Sequence, residues 1–286
     1  MILITGATGR SGKVAAQQLA AKGIKVRALV RNPDKAADLR AAGVEIAIGD
    51  AGDAAAVRAA LAGVTKIAII LPNGEKQLAL EKHLTDRAAE AGVAQIVKVS
   101  SPEAVPGTKN PVHIVHLESE EHVRRSGRPW TMVRPSFYMQ NFLGAGASIK
   151  AEGKFYFPFG TRGAAVLSDS RDTGFFVAHV LTTPGHEGRS YDITSPDKLS
   201  FGQAAEVFTK ELGRKVEYVP MDPAAYKARL GKVLTSQWHL DAVCDMFAEI
   251  AAGYVSHVTD TFQKVTGRAP ISFAQFIRDH IQVFRA

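Results

Sequence analysis

Six short runs rich in valine and isoleucine, "MILIT", "KVRALV", "VEIAIGD", "KIAIILP", "QIVKVSS" and "WTMVRPS", alternate with alanine-rich stretches through the first 135 residues. That alternation is the signature of repeated βαβ units. Runs that are apolar along nearly their whole length suit parallel strands buried on both faces, because a strand with one wet face would alternate. Helices are expected over about residues 11–22, 34–42 and 53–62, and again across "EKQLALEKHLTDRAAEAG" and "VHLESEEHVRRSG". Gly23, Gly43, Gly63, Gly92 and Gly127 follow these helices, where a left-handed C-cap is needed.

The expected architecture is therefore α/β: a Rossmann-type doubly wound parallel sheet in residues 1–135, with later segments returning to it. After Arg134 and Pro135 the rhythm changes to longer loops, aromatics and isolated strands. Residues 136–286 are expected to form mainly a smaller α/β C-terminal region that binds substrate or acts as a lid. In that region "TGFFVAHVLTT" reads as a helix, "RSYDITS" and "KVEYVPM" as strands, and "SFGQAAEVFTKELG" as a helix capped by Ser200.

Composition narrows the partners. The chain is 46% hydrophobic and has no window near the roughly 20 apolar residues of a membrane span. No signal peptide is read at the start, so a cytoplasmic, membrane-free protein is expected. One cysteine, Cys244, excludes an intrachain disulfide and a cysteine-rich metal site. The nine histidines include no H-E-x-x-H arrangement, and no metal is expected. A net charge of +7 favours anionic ligands, but the basic residues are scattered among acids rather than gathered in a stripe, which argues against nucleic acid. A homodimer is compatible with the sequence.

The stretch "MILITGATGRSGKV" says which anion. Gly6, Gly9 and Gly12 begin just after an apolar strand and run into a helix, so backbone N–H groups and the positive helix end converge where a pyrophosphate fits. Gly6 permits the tight turn, Gly9 the approach of phosphates, and Gly12 the packing of helix on strand. The same glycines would also serve a plain turn. At the end of the second strand an acid would bind the ribose hydroxyls of NAD; here Arg31 and Asn32 are followed by Lys35, which suits a 2′-phosphate. NADP(H) is thus expected over NAD(H), although Arg31 also reads as a solvated charge. Asp50 lies on the adenine side or caps a helix. Leu71, Pro72 and Asn73 end the fourth strand, at the edge where ribose and nicotinamide lie.

"GATGRSG", "VRN", "GD" and "VRPSFYMQNF", continued by "GKFYFPFG", "DSRD" and "GHEGRSYDITSP", resemble the NmrA-like family of atypical short-chain dehydrogenases/reductases over nearly the whole chain. The resemblance is strongest to its bacterial azoreductase, quinone reductase and triphenylmethane reductase members. It implies that Gly6, Ala7, Thr8, Gly9, Arg10, Ser11, Gly12, Arg31 and Lys35 hold phosphates, Asp50 the adenine side, and Ser100 a further part of the cofactor. It also implies a substrate over the nicotinamide, with Phe137, Tyr138, Gln140 and Asn141 facing it.

Ordinary short-chain dehydrogenases use a Tyr-x-x-x-Lys pair to move a proton. None of the six tyrosines has a lysine four residues later. His113, His116 and Tyr138 are the candidates that remain for proton supply, and His113 and His116 equally suit the start of a helix. A hydride acceptor that needs no positioned acid fits best: a quinone, an azo compound or a triarylmethane dye, stacked on Phe137, Tyr138, Phe155, Phe157 and Trp238. Core packing is the alternative for those aromatics. The missing pair fits equally well an NADP(H)-binding redox sensor with little or no turnover.

Overall fold

The computed structural model describes residues 1–254 and 256–285. The chain divides into two units, Met1–Pro135 with Ser170–Asp192, and Ser136–Asp169 with Ile193–Ala286. In chain order the first unit builds β1 (Ile2–Thr5), α1 (Arg10–Ala21), β2 (Val26–Val30), α2 (Ala37–Ala41), β3 (Glu45–Ile48), α3 (Ala54–Leu61), β4 (Lys66–Ile69), α4 (Gln77–Glu90), β5 (Gln95–Val99), α5 (Pro111–Arg125) and β6 (Trp130–Pro135). The second unit begins with β7 (Phe137–Tyr138), α6 (Gly146–Glu152), β8 (Lys154–Phe157) and β9 (Ala164–Ser168). α7 (Ser170–Thr182) and β10 (Arg189–Ile193) follow, with all but Ile193 in the first unit. β11 (Lys198–Ser200), α8 (Phe201–Leu212), β12 (Glu217–Pro220), α9 (Pro223–Leu230), α10 (Gln237–Ala251), α11 (Thr261–Thr266), α12 (Phe273–Asp279) and α13 (Ile281–Phe284) complete the second.

The first unit is the doubly wound α/β sheet the sequence implies, with strand order β10-β6-β5-β4-β1-β2-β3. Neighbours among β1 to β6 are all parallel, with Ile4 opposite both Ala28 and Ala68. Leu3, Ile4, Ile67, Ala68, Ile96 and Val97 have no exposed surface, which explains why these strands carry no polar alternation. The winding reverses between β1 and β4, and in sheets of this kind the carboxyl ends of the strands at that point form the ligand edge.

Two close approaches set the geometry there. Gly6 has φ +62°, and a Cβ on it would sit 1.9 Å from the Ile70 carbonyl oxygen. Thr5 ties the same strand ends together: its hydroxyl donates to Ala68 O at 3.2 Å and accepts from Ile70 N at 3.0 Å. On the other side of α1, a Cβ on Gly174 would lie 2.4 Å from Ser11 O, so the helix α7 lies directly against α1. Residues 170–192, placed by sequence among the later segments, thus belong to the sheet unit.

The second unit holds a three-stranded sheet, β11-β9-β7, and a parallel pair, β12-β8. Its core is a phenylalanine cluster that includes Phe142, Phe155, Phe157, Phe159, Phe201, Phe208, Phe273, Phe276 and Phe284. Phe159 and Phe201 stack at 4.1 Å between ring centroids, and Tyr218 closes one side by donating to Phe157 O at 3.0 Å. This corrects one expectation. Phe155 is fully buried and Phe157 is 4% exposed, so both spend their faces on neighbouring rings and neither offers a surface to a ligand. Phe137 is half-buried and meets Phe142, Phe159 and Phe201 edge-on.

Among the described residues no helix is long and apolar enough to cross a membrane. Replacing Phe157 by Ala is expected to cost about 3–5 kcal/mol in chemical denaturation. A change within about 0.5 kcal/mol would be the mark of a surface ring and would contradict the core assignment.

Candidate functional site

The first turn of α1 leaves its backbone donors open. Gly9 is its N-cap in an extended conformation, no side chain caps it, and the turn holds no acid. Gly9 N–H closes the loop on Gly6 O at 2.9 Å and Lys13 N–H starts the helical ladder on Gly9 O, so the amides of Arg10, Ser11 and Gly12 have no intrahelical acceptor. Two other helices of the unit are capped by side chains, α3 by Asp53 accepting from Ala55 and Ala56 and α5 by Asn110 accepting from Val112, whereas α2 and α4, like α1, are not. A Cβ on Gly12 would lie 2.3 Å from Gly6 O, so the loop and helix meet backbone to backbone. Ala7 and Ser11 are buried beneath the turn, while Thr8, Gly9 and Arg10 face solvent.

Arg10 opens this turn, and Arg31 and Lys35 follow the end of β2. Arg10, Arg31 and Lys35 are exposed, and among the described residues none has an ion-pair partner. Lys13 differs, since it is paired with Asp38. Asn32 is committed locally: its Oδ1 accepts from Asp34 N at 2.9 Å and caps the 3-10 turn Pro33–Ala36. Asp50 also shapes backbone, accepting from Gly52 N at 2.8 Å. Leu71 packs on the sheet core, and Pro72 is exposed.

At the end of β4 the structure brings together residues that sequence reasoning did not connect. Asn73 Oδ1 lies 3.1 Å from His116 Nε2 on α5, and His116 Nδ1 lies 3.0 Å from Nζ of Lys98 on β5. Lys98 is wholly buried, and its ammonium also meets Glu81 Oε2 of α4 at 3.2 Å and Val99 O at 3.1 Å. Two of its N–H bonds thus have acceptors, Val99 O and His116 Nδ1, while Glu81 Oε2 accepts no hydrogen bond and holds the ammonium by charge. Glu81, also wholly buried, takes a bond from Gln77 Nε2 at 3.1 Å.

This geometry fixes a tautomer. An ammonium can only donate, so His116 Nδ1 accepts and its ring proton sits on Nε2, where it is donated to Asn73. Burial first, then the Lys98 charge and His113, hold His116 well below the ordinary imidazole value of 6.5. The ring is neutral at pH 7. His113, one turn earlier on α5, is lowered by burial against the pull of Glu103.

A second buried cluster braces α5 against β6. Arg134 holds Glu120 with two bonds, Nε to Oε1 at 2.8 Å and Nη2 to Oε2 at 2.5 Å, and Arg124 adds a third at 2.6 Å. Burial pushes the Glu120 carboxyl up, but the bonds and charge of Arg134 outweigh it and leave the group below its ordinary range. Asp192, 3.7 Å from Arg134, is raised by its burial. Ser100 is buried at the end of β5 and donates its N–H to Val133 O.

The remaining candidates lie in the second unit. Tyr138 and Trp238 are half-buried, Asn141 is exposed, and Gln140 is buried with its amide donated to Asp169 at 2.9 Å. Lys98 and Glu81 were missed, and two signals would have found them. Gln77, Glu81, Leu84, Thr85 and Ala88 form the buried stripe of α4, so the acid needs a buried partner; a lysine inside the apolar run "QIVKV" is the complementary anomaly.

The NmrA-like family model matches residues 1–266. An NAD(P)H azoreductase of Xenophilus azovorans is 34% identical, with both chains covered completely. Among solved structures, an NADPH-dependent quinone oxidoreductase of Escherichia coli complexed with NADPH superposes with a TM-score of 0.87 at 27% identity, over 98% of this chain and 100% of that one. A triphenylmethane reductase of Citrobacter sp. complexed with NADP(H) gives 0.86 at 26% identity, over 97% and 99%.

The depressed histidine makes stability depend on pH. The unfolded ring takes up its proton first as pH falls, so the contribution of neutral His116 is complete above about 6.5 and drains below it, at about 1.4 kcal/mol per pH unit, until the folded ring also protonates. His116→Gln is therefore expected to flatten the fall of unfolding free energy between about pH 6.5 and pH 5 by roughly one proton. An unchanged slope in denaturant titrations would show that the ring is not held neutral.

Proposed function

The chain belongs to the NmrA-like family, and we propose that it transfers hydride from NADPH to a conjugated, aromatic acceptor such as a quinone, an azo compound or a triarylmethane dye. At the coarser level it is an NAD(P)H-dependent oxidoreductase, as relatives of matching length are. The observation that supports the NADPH half of this reading is the uncapped first turn of α1 with Arg10, Arg31 and Lys35 unpaired among the described residues; the acceptor half is supported by the azo, quinone and triphenylmethane reductases this chain resembles.

The residues present fit the dinucleotide. Gly6 and Gly12 leave no room for side chains, so a pyrophosphate can approach the amides of Arg10, Ser11 and Gly12. Arg31 and Lys35 supply the charge that a 2′-phosphate needs, and no acid stands at the end of β2 to bind a free ribose hydroxyl pair. When bound, the reduced nicotinamide supplies hydride.

The protein's own part is to position and to exclude. His116 has both ring nitrogens engaged, one by Lys98 and one by Asn73, so it positions Asn73 and is not a free acid. With no Tyr-x-x-x-Lys pair, the acceptor takes its proton from solvent after hydride arrives. Holding donor and acceptor face to face is worth up to about 7–11 kcal/mol of the barrier, which is the term this site uses. Of the acceptor-binding candidates in the second unit, Phe137, Tyr138, Asn141 and Trp238 keep accessible surface, while Gln140 is bound to Asp169.

Purified protein given NADPH and a panel of quinones, azo dyes and triarylmethane dyes is expected to oxidise the cofactor with at least one class. Tight NADPH binding without oxidation by any of them would instead mark a sensor. In a fluorescence titration, Arg31→Ala combined with Lys35→Ala should weaken NADPH by at least about tenfold and leave NADH nearly unchanged. Equal loss for both cofactors would overturn the 2′-phosphate assignment.

A further inference from the structure

The Glu81–Lys98 pair sits where no ligand reaches, yet it ends on a group that lies at the ligand edge. Lys98 has no exposed surface; its ammonium donates to Val99 O and to His116 and is paired by charge with Glu81. His116, 6% exposed, passes that constraint to Asn73, which is half-buried at the carboxyl end of β4 next to the winding reversal. Four residues from β5, α4, α5 and the β4 loop thus form one directed chain of hydrogen bonds and charge.

We propose that Glu81 and Lys98 are positioning residues that lock the His116 tautomer and, through it, fix which way the Asn73 carboxamide faces, so that its Nδ2 hydrogens are the donors presented to the nicotinamide riboside. Glu81 holds the Lys98 ammonium in place; the ammonium forbids a proton on Nδ1; Nε2–H must then be donated, and the only amide atom that can accept it is Asn73 Oδ1. The carboxamide cannot flip without setting two donors against each other, at the cost of a hydrogen bond in a buried site. Asn73 is left with Nδ2 for a carbonyl or hydroxyl of the cofactor. This inference rests on the dinucleotide reading of the preceding subsection.

The charged and titratable groups around His116 are Lys98 on β5, His113 on its own helix, and, through Lys98, Glu81 on α4 and Glu120 on α5. Removing Lys98 takes away both the donor to Nδ1 and one of the charges that keep the ring neutral. The test compares wild type with the double variant Lys98→Met, Glu81→Gln, chosen so that no lone charge stays buried, and with Asn73→Ala. Nitrogen-15 NMR of the His116 side chain reads the tautomer without cofactor, and fluorescence titration reads NADPH affinity without an acceptor.

Wild type is expected to show only the Nε2–H form between about pH 6 and pH 8, and the double variant a mixture whose titration moves back toward the ordinary value. Both the double variant and Asn73→Ala are expected to weaken NADPH by about tenfold, the worth of one well-placed hydrogen bond. A tautomer mixture in wild type overturns the lock, whether or not the double variant folds. So does an NADPH affinity unchanged within twofold in a folded double variant or in Asn73→Ala. Wild type that binds no NADPH at all would instead sink the dinucleotide reading and leave the tautomer result to stand on its own.

Discussion

The Ile70 carbonyl occupies the space in which any side chain on Gly6 would have to stand. From that contact follow the left-handed turn at Gly6, the close seat of Gly12 on the loop, and the direction in which α1 leaves the sheet. Thr5 bonds across the same gap to both sides of the β4 terminus, so the ends of β1 and β4 are held at one spacing. A helix aimed in this way delivers its free amides to the point where the winding of the sheet reverses. Gly174 does where α7 meets α1 what Gly12 does where the loop meets it, and α1 packs against α7, which itself lies on β5 and β6.

The polar column through Glu81, Lys98, His116 and Asn73 is a different kind of constraint. A buried ion pair is poor evidence for stability, because desolvation consumes most of the Coulomb gain, but removing one partner alone typically costs about 3–5 kcal/mol. What such a column supplies is direction: each member has one hydrogen-bonding role left once its neighbour is set. The Arg134–Glu120 bonds act in parallel, fixing α5 to β6 so that His116 stays over Lys98. Rigidity at the strand edge is what a reaction that relies on placement requires.

Much of this was legible in the chain before its structure, and for identifiable reasons. Strands buried on both faces leave no polar alternation, so the βαβ rhythm stood out; the glycines after five helices sit at positive φ because a left-handed cap admits little else. The aromatics were ambiguous only until period was considered. Phe155, Phe157 and Phe159 recur every second residue, which on an extended segment points them to one face, and that face is the core. That later segments return to the first unit was expected, but that they are residues 170–192 was not legible, since it depends on a helix contact between Gly174 and Ser11 far apart in sequence. Lys98 and Glu81 lay hidden for the opposite reason. Each resembles an ordinary surface charge until burial shows that it needs the other.

On the proposed function, catalysis is placement of a hydride donor against an acceptor, with no proton positioned by the protein. Single-turnover transfer from NADPH carrying deuterium at the transferred position, run in light and heavy water, tests this directly. A clear primary isotope effect with no solvent isotope effect is the predicted outcome. A dominant solvent effect with a negligible primary one would mean that a protein-held proton limits the reaction, and would contradict the account.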